Sequence, residues 1–413
     1  MRILSGRAAA SAVKKLSARG SELTRLEPYV RRMVGEVRRN GDRALRRYAQ
    51  KWDGIAANQR LRVDDVEMAQ ALAAMSDPMQ AALEQAAKNI RQFCEWQKPA
   101  SWMRGKKGIS LGQAIRPIES VGCYVPGGRY PLVSTLLMTV IPAQVAGVPN
   151  IRVLSPRPSA EVLGAAAMLG VRELYRVGGP HAIAALAYGT RTIARVDKIV
   201  GPGNSYVTVA KKLVAFDCAI DFLAGPTEAV VLCEKGNPEF IAADLVAQAE
   251  HAPDACSVFI TTSPRMANSV ARALDRQTEQ NSIAAQSLAR YGLILVSRSR
   301  TEARDWANQI APEHITLEED DLPFIRNAGS IFVGHYSAQA AGDYASGPNH
   351  VLPTGGQARF RGGLSVIDFM KVITVQHLSR DGLQNIAKTI ECLARSEGLA
   401  AHAESVRMRS THA

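Results

Sequence analysis

From about residue 108 the chain alternates short β-rich runs with Ala-rich helical windows, and it does so twice over. The first series has runs at 121–125, 151–155, 173–177 and 198–200, with helical windows at 131–146, 160–169, 182–187 and 206–214. The second has runs at 230–233, 258–261, 293–296 and 331–333, with windows at 238–251, 264–281 and 300–310. Strands that alternate with helices cannot pair by tight hairpins, so each series predicts βαβ units around a mainly parallel sheet.

At 413 residues the chain is too long for a single hydrophobic core. The expected fold class is α/β, with two successive Rossmann-like units. Residues 1–107 read as a helical N-terminal segment, where Asn40-Gly41-Asp42 stops one helix and caps the next. Residues 108–227 make the first α/β unit and 228–352 the second. Residues 353–413 read as a strand and two helices belonging to neither sheet, a tail suited to docking on a partner chain.

Glycine and proline cluster where the predicted strands of the first unit end. Pro126-Gly127-Gly128, Gly178-Gly179-Pro180, Gly201-Pro202-Gly203 and Ala224-Gly225-Pro226 each follow such a strand. Any one of them can be a plain strand-to-helix turn. Four together suggest a nucleotide crevice, because ligands of open α/β sheets bind outside the carboxyl ends of the strands. Glycine there admits a close approach of backbone N–H groups. No GxGxxG follows a strand and opens a helix, so a dinucleotide must be held without that fingerprint.

Charge does not alter this reading. The net +12 is concentrated at residues 1–50, which hold 13 Lys/Arg against four Asp/Glu. Apolar residues at helical spacing (Leu26, Tyr29, Val30, Met33, Val37, Leu45, Tyr48) lie among the arginines without an aromatic ladder. A solvated helical face fits better than a nucleic-acid arm. Residues 130–151 carry no charge, but Pro142, Pro149 and several hydroxyls make them a buried helix rather than a membrane span. The six cysteines are far apart with no CxxC, as suits a reducing compartment. Arg7 and Lys14 break up any signal-peptide core. A soluble cytoplasmic protein, bound to neither nucleic acid nor membrane, is expected.

Several residues can carry chemistry. Gln248 and His251, three apart near a helix end, share one face and can reach a metal or a substrate; equally, His251 can simply meet the last carbonyls of its helix. Asp343 lies in a stretch too polar and Gly-rich for a core, and His402 and Glu397 fall in the final helical region. One Gln, one Asp and two His would make a mixed N/O set acceptable to zinc. Glu313-His314 precedes a β-rich run. Such a pair can share acid–base work only if the strand has not yet begun at the glutamate, since strand neighbours point to opposite faces. Asn204 is either a helix cap or, with Ser205 capping instead, free for a ligand.

Taken together, the motifs VGCYVPGG (121–128), IVGPGNSYVT (199–208), AGPTE (224–228), LVAQAEHAPD (245–254), APEHITL (311–317), AGDYASGPNHVLPT (341–354) and EGLAAH (397–402) resemble those of the histidinol dehydrogenase family. The resemblance runs from about residue 36 to 407. It implies oxidation of L-histidinol through histidinal to L-histidine, in the last steps of histidine biosynthesis, with two NAD⁺ and one Zn²⁺ per subunit of a homodimer with exchanged elements. It assigns the metal to Gln248, His251, Asp343 and His402, the last offered by the partner subunit. Glu313 and His314 match the family's catalytic pair. Thr227, His350 and Glu397 would contact substrate beside the metal residues and His314, and Tyr124, His181 and Asn204 would contact NAD⁺. Two positions depart from the pattern. His181 stands where Gln is common, which changes the geometry and charge offered to the cofactor, and Thr227 stands where some members have Ser. The alternative is a paralogous zinc- and NAD-dependent dehydrogenase of another small hydroxylated substrate.

Overall fold

The chain begins with a strand rather than a helix. The computed structural model describes residues 1–18, 23–127 and 132–411, so Gly128 and the head of the window at Pro131 lie outside the described residues. Strand β1 (Arg2–Ser5) runs parallel to Leu293–Val296, on the edge of a sheet built almost 300 residues later. This corrects the all-helical reading of residues 1–107. Four residues are too few to show a period, and what makes them a strand is the edge they dock on.

Two lead-in helices, Glu27–Asn40 and Asp42–Tyr48, lie over helices Gly179–Tyr188 and Ser205–Val214 on one side of the first parallel sheet, and Asp65–Ala73 and Asp77–Gln97 lie over helices Ala160–Met168 and Val133–Ala146 on the other. In Glu27–Asn40 the residues Val30, Met33, Val34 and Val37 are buried while the arginines face solvent. β2 (Trp102–Lys106) and β3 (Ile109–Pro117) then form a hairpin. Its two-residue turn, Lys107-Gly108, has both φ values positive, as the twist of a tight hairpin requires. Residues 109–117 therefore pair outside the first parallel sheet.

That sheet comprises β4 (Ser120–Tyr124), β5 (Asn150–Leu154), β6 (Glu173–Tyr175), β7 (Lys198–Val200) and β8 (Ala219–Ile220), in the order β6-β5-β4-β7-β8. The uncharged stretch after β4 becomes the helix Val133–Ala146, apolar all round because the sheet covers one side and Asp77–Gln97 the other. Among the described residues no helix is long and apolar enough to cross a membrane.

β9 (Glu228–Leu232), β10 (Cys256–Thr261), β11 (Leu293–Val296), β12 (His314–Leu317) and β13 (Ser330–Val333) form the second parallel sheet, in the order β1-β11-β10-β9-β12-β13. Helices Gly6–Ser17 and Arg300–Ile310 cover one face; Pro238–Ala249, Pro264–Thr278 and Ser282–Tyr291 cover the other. Apart from the added β1, its order repeats that of the first sheet, with the reversal falling between β9 and β12. β14 (Met370–Leu378) pairs antiparallel with the whole of β3, making a third, three-stranded sheet. Helices Arg380–Ser396 and Ala400–Thr411 complete the tail.

Candidate active site

Thr227 and Glu228 stand at the amino end of β9, and Glu313 and His314 at the amino end of the neighbouring β12. Helix Arg300–Ile310 ends on Ala311, whose φ of 51° and ψ of 61° place it in the left-handed region. The chain turns there, and β12 begins only at His314. Glu313 thus lies just outside the strand and is not bound by its alternation of faces.

Its buried carboxylate accepts hydrogen bonds on Oε2 from the Thr227 hydroxyl and, at 3.1 Å, from the Glu228 backbone N–H. The Thr227 oxygen in turn accepts from Gln248 Nε2 at 2.5 Å. Burial pushes the Glu313 carboxyl above its ordinary pKa, against the pull of His314 and these two donors. His314 Nε2 lies 3.5 Å from Asp343 Oδ1. Burial opposes a charge on that ring, yet the Asp343 hydrogen bond and the Glu313 carboxylate outweigh it and raise the pKa. The ring leans on Phe332, with centroids 5.8 Å apart. One carboxyl and one imidazole, adjacent in the chain and both more basic than usual, make a pair equipped to take protons near neutrality.

Asp343 organises the rest. Burial would raise its carboxyl, but the His314 hydrogen bond and the fields of His314, His350 and His251 hold it below the ordinary range. Its backbone carbonyl accepts from His350 Nδ1 at 2.8 Å, which leaves Nε2 of that ring as an acceptor, 3.3 Å from the Thr135 hydroxyl. Thr135 belongs to the helix after β4, so His350 links the first sheet's helical layer to this cluster.

Three of the four residues considered for a metal gather around Asp343 and Thr227. Donation from Nε2 to Thr227 leaves the Gln248 amide oxygen uncommitted, Asp343 has a second carboxylate oxygen, and His251 is exposed just past the end of helix Pro238–Ala249. An amide oxygen, a carboxylate and an imidazole suit a borderline cation such as zinc. Among the described residues, no group of three His, Cys, Asp or Glu is close enough to hold an ion. His402 and Glu397 are exposed in the tail, and no hydrogen bond or ion pair among the described residues joins their side chains to this cluster.

Tyr124, His181 and Asn204 meet elsewhere, in a cavity of about 320 Å³ beyond the carboxyl ends of β4 and β7. Gly127, Gly179 and Arg157 also line it, with Trp52, Tyr29 and Tyr206 exposing aromatic faces around it. This is the reversal point of the first sheet, where such folds bind nucleotides. Burial pushes the Tyr124 phenol up to about 12, and its oxygen accepts from the Gly179 N–H at 3.1 Å, leaving the hydroxyl proton to donate. The Asn204 oxygen caps helix Ser205–Val214, accepting from the Tyr206 and Val207 N–H groups. Ser205 does not take over that duty, so only the Asn204 amide nitrogen remains for a ligand.

Sequence reading missed Asp53, Thr135 and Phe332. Asp53 is buried and bonds His181, 128 residues away. Its one local signal was a carboxylate followed by glycine in Trp52-Asp53-Gly54, where a surface turn is the default reading.

The family model described as histidinol dehydrogenase matches residues 16–410. A histidinol dehydrogenase of Methanothermobacter thermautotrophicus is 47% identical over 392 residues, covering 91% of this chain and 92% of that protein. One from Aquifex aeolicus is 43% identical, covering 93% and 92%. The crystal structure of histidinol dehydrogenase from Elizabethkingia anophelis superposes with a TM-score of 0.93 at 37% identity, covering 99% of this chain and 98% of that one.

Proposed function

The chain belongs to the histidinol dehydrogenase family, and from that premise we propose that it oxidises L-histidinol to L-histidine in two successive NAD⁺-dependent steps on the Glu313–His314 pair. The observation that carries this reading is the pair itself, buried, adjacent and raised in basicity on both members. A four-electron oxidation needs a base for the alcohol proton, and then an activated water for the aldehyde.

In the first step His314 takes the hydroxyl proton as the carbinol carbon gives its hydride to the nicotinamide. Asp343 holds the imidazole and stabilises the imidazolium that forms. The aldehyde then stays in the site, and Glu313, held by Thr227 and Glu228, takes a proton from the water that adds to its carbonyl carbon. The hydrate loses its second hydride to a second NAD⁺, with His314 again accepting a proton. Retaining the aldehyde protects it from side reactions.

Gln248, His251 and Asp343, completed by His402 across a subunit interface, would hold a zinc ion. When bound, the ion supplies an anchor for the substrate's imidazole and amine and polarises its oxygen. His350 and Glu397 would bind the substrate beside it. Tyr124, His181 and Asn204 would hold NAD⁺.

The dimer reading draws support from the third sheet. Along β14 every residue from Lys371 to His377 is exposed, including Val372, Ile373 and Val375, and Trp102, Met103 and Leu111 of its neighbours are exposed too. A three-stranded ribbon whose outer strands are bare on both faces needs a cover, and a second copy of the chain is the proposed one. Such docking would bring the tail, with Glu397 and His402, to the partner's cluster. Sedimentation of an Ile373→Asp variant is expected to give monomers with weakened zinc retention; an unaltered dimer would remove this part of the reading.

The test of the reaction is the NADH formed per L-histidinol consumed, at completion, with zinc-loaded protein. Two is expected. One would mean a single-step dehydrogenase, and none would send the assignment to another hydroxylated substrate.

A further inference from the structure

His181 sits at the third position of helix Gly179–Tyr188, in the wall of the cofactor cavity. Its Nε2 lies 2.8 Å from Asp53 Oδ2, and both side chains are buried. The same carboxylate oxygen accepts from the Gly178 N–H at 3.1 Å. An ionised carboxylate only accepts, so the ring proton must be on Nε2. In the neutral ring Nδ1 is then bare. It is buried without a protein partner, and the ring edge carrying it lies 3.5 Å from the place a β-carbon on Gly179 would occupy. Gly179 itself lines the cavity.

The Asp53 carboxylate also settles what this wall cannot take. It occupies the amino end of helix Gly179–Tyr188, and the Gly179 N–H is already given to Tyr124. A phosphate placed there would meet a carboxylate and two committed donors. Arg157 and the exposed amide of Asn204 offer the opposite charge and a free donor elsewhere in the same cavity.

We infer that Asp53 is a positioning residue for the cofactor: by taking the Nε2 proton of His181 it leaves a bare Nδ1 acceptor in the wall beside Gly179, and so reserves this wall for a hydrogen-bond donor, a ribose hydroxyl or the adenine amine, and excludes the phosphates. The inference rests on the reading of this cavity as the dinucleotide site.

The experiment uses the full chain with ¹⁵N-labelled histidine, the His181 signals being identified by their loss in His181→Gln. The free protein is expected to show the Nε2-protonated tautomer, with the Nδ1 signal moving when NAD⁺ is added. A proton on Nδ1 would overturn the proposal. Calorimetry with NAD⁺ adds an independent limb. His181→Leu removes the acceptor at similar volume and is expected to weaken binding roughly tenfold. His181→Gln restores an acceptor oxygen and is expected to stay within about threefold. Asp53→Asn keeps an acceptor for Nε2 and Gly178 and should behave as the parent, whereas Asp53→Leu should lose both affinity and the single tautomer. The source of the donor is read with NAD⁺ analogues carrying hypoxanthine for adenine or lacking an adenosine ribose hydroxyl. The analogue without the partner donor binds the parent weakly and loses nothing more in His181→Leu. If every analogue loses the full factor in His181→Leu, Nδ1 faces no adenosine donor and the proposal fails. Absence of NAD⁺ binding by the parent protein would instead strike at the cofactor reading, while the tautomer of the free protein still tests Asp53.

Discussion

In the first parallel sheet the strand order reverses between β4 and β7, and the cavity of Tyr124, His181 and Asn204 opens beyond their carboxyl ends. In the second sheet β9 and β12 hold the same place in the order, yet Thr227, Glu228, Glu313 and His314 stand at their amino ends. The carboxyl ends of β9 and β12 do open on a cavity, about 350 Å³ in volume, but Asp244, Glu318, Glu319 and Asp320 line it against Lys235 and His335. A repeated topology thus offers the same crevice twice, and the lining decides its use. Carboxylates would repel a diphosphate from the second crevice, whereas among the described residues glycines and Arg157 open the first. The amino edge of the second sheet is the one the first sheet reaches, through the connection from β8 to Thr227 and through Thr135 on His350.

The largest expected effect is at that amino edge. Glu313→Gln removes the proposed base for water and should slow the second oxidation by about a hundredfold or more, with the first slowed far less. NADH per histidinol would fall from two towards one in a timed assay. Equal loss in both half-reactions would strip Glu313 of its water-activating role and undo the division of labour between the edges.

Next comes the same small change at two carboxyl-end turns. Gly201 has a φ of 115°, and a β-carbon there would collide with the Tyr124 carbonyl. Gly201→Ala should cost about 3 kcal/mol of stability and raise the KM for NAD⁺. Gly334, at the mouth of the acidic cavity, has a φ of 83° but nothing within 4 Å of such a carbon. Gly334→Ala should cost only about 1 kcal/mol, with KM unchanged. A rise in KM from Gly334→Ala would mean that the second crevice also serves the cofactor.

The smallest effect concerns the acidic cavity alone. Burial pushes the Asp244 carboxyl up to about 6, against a backbone hydrogen bond from Gln339. An acid whose pKa rises on folding favours the fold when protonated. Its contribution is full below the ordinary carboxylate pKa of about 4 and is lost as pH rises through 6. Asp244→Asn should therefore unfold at a higher temperature than the parent at pH 7.5, by about 1 kcal/mol after allowing for its partial exposure. The gain should vanish by pH 4. A gain that does not vary with pH would mean that the carboxyl is not strained by this cavity.

The alternation of β and α elements was legible because its signals are local. The runs at 121–125 and 258–260 are continuously apolar, as strands buried on both faces tend to be, and the Ala-rich windows between them are long enough for helices. The site was legible as residue types at fixed spacings, which named the Glu–His pair and the Gln–His pair. The small sheet was not legible as a sheet: β14 is exposed from Lys371 to His377 and finds its partner β3 some 260 residues earlier. Nor was the duty of Asn204, where two adjacent residues could each cap the helix and only the built turn selects one.

By itself the sequence determined the alternation of strands and helices in the two parallel sheets, the turns at which glycine is required, and the side chains able to move a proton or hold a cation. Only the tertiary structure decided which ends of the sheets those side chains occupy and which atom of each is free. Asp53 commits one nitrogen of His181 across 128 residues, and Thr227 orients Glu313 across 86. Periodicity acts over a few residues, whereas a hydrogen bond needs its two atoms within about 3.5 Å, and only packing brings such distant segments that close.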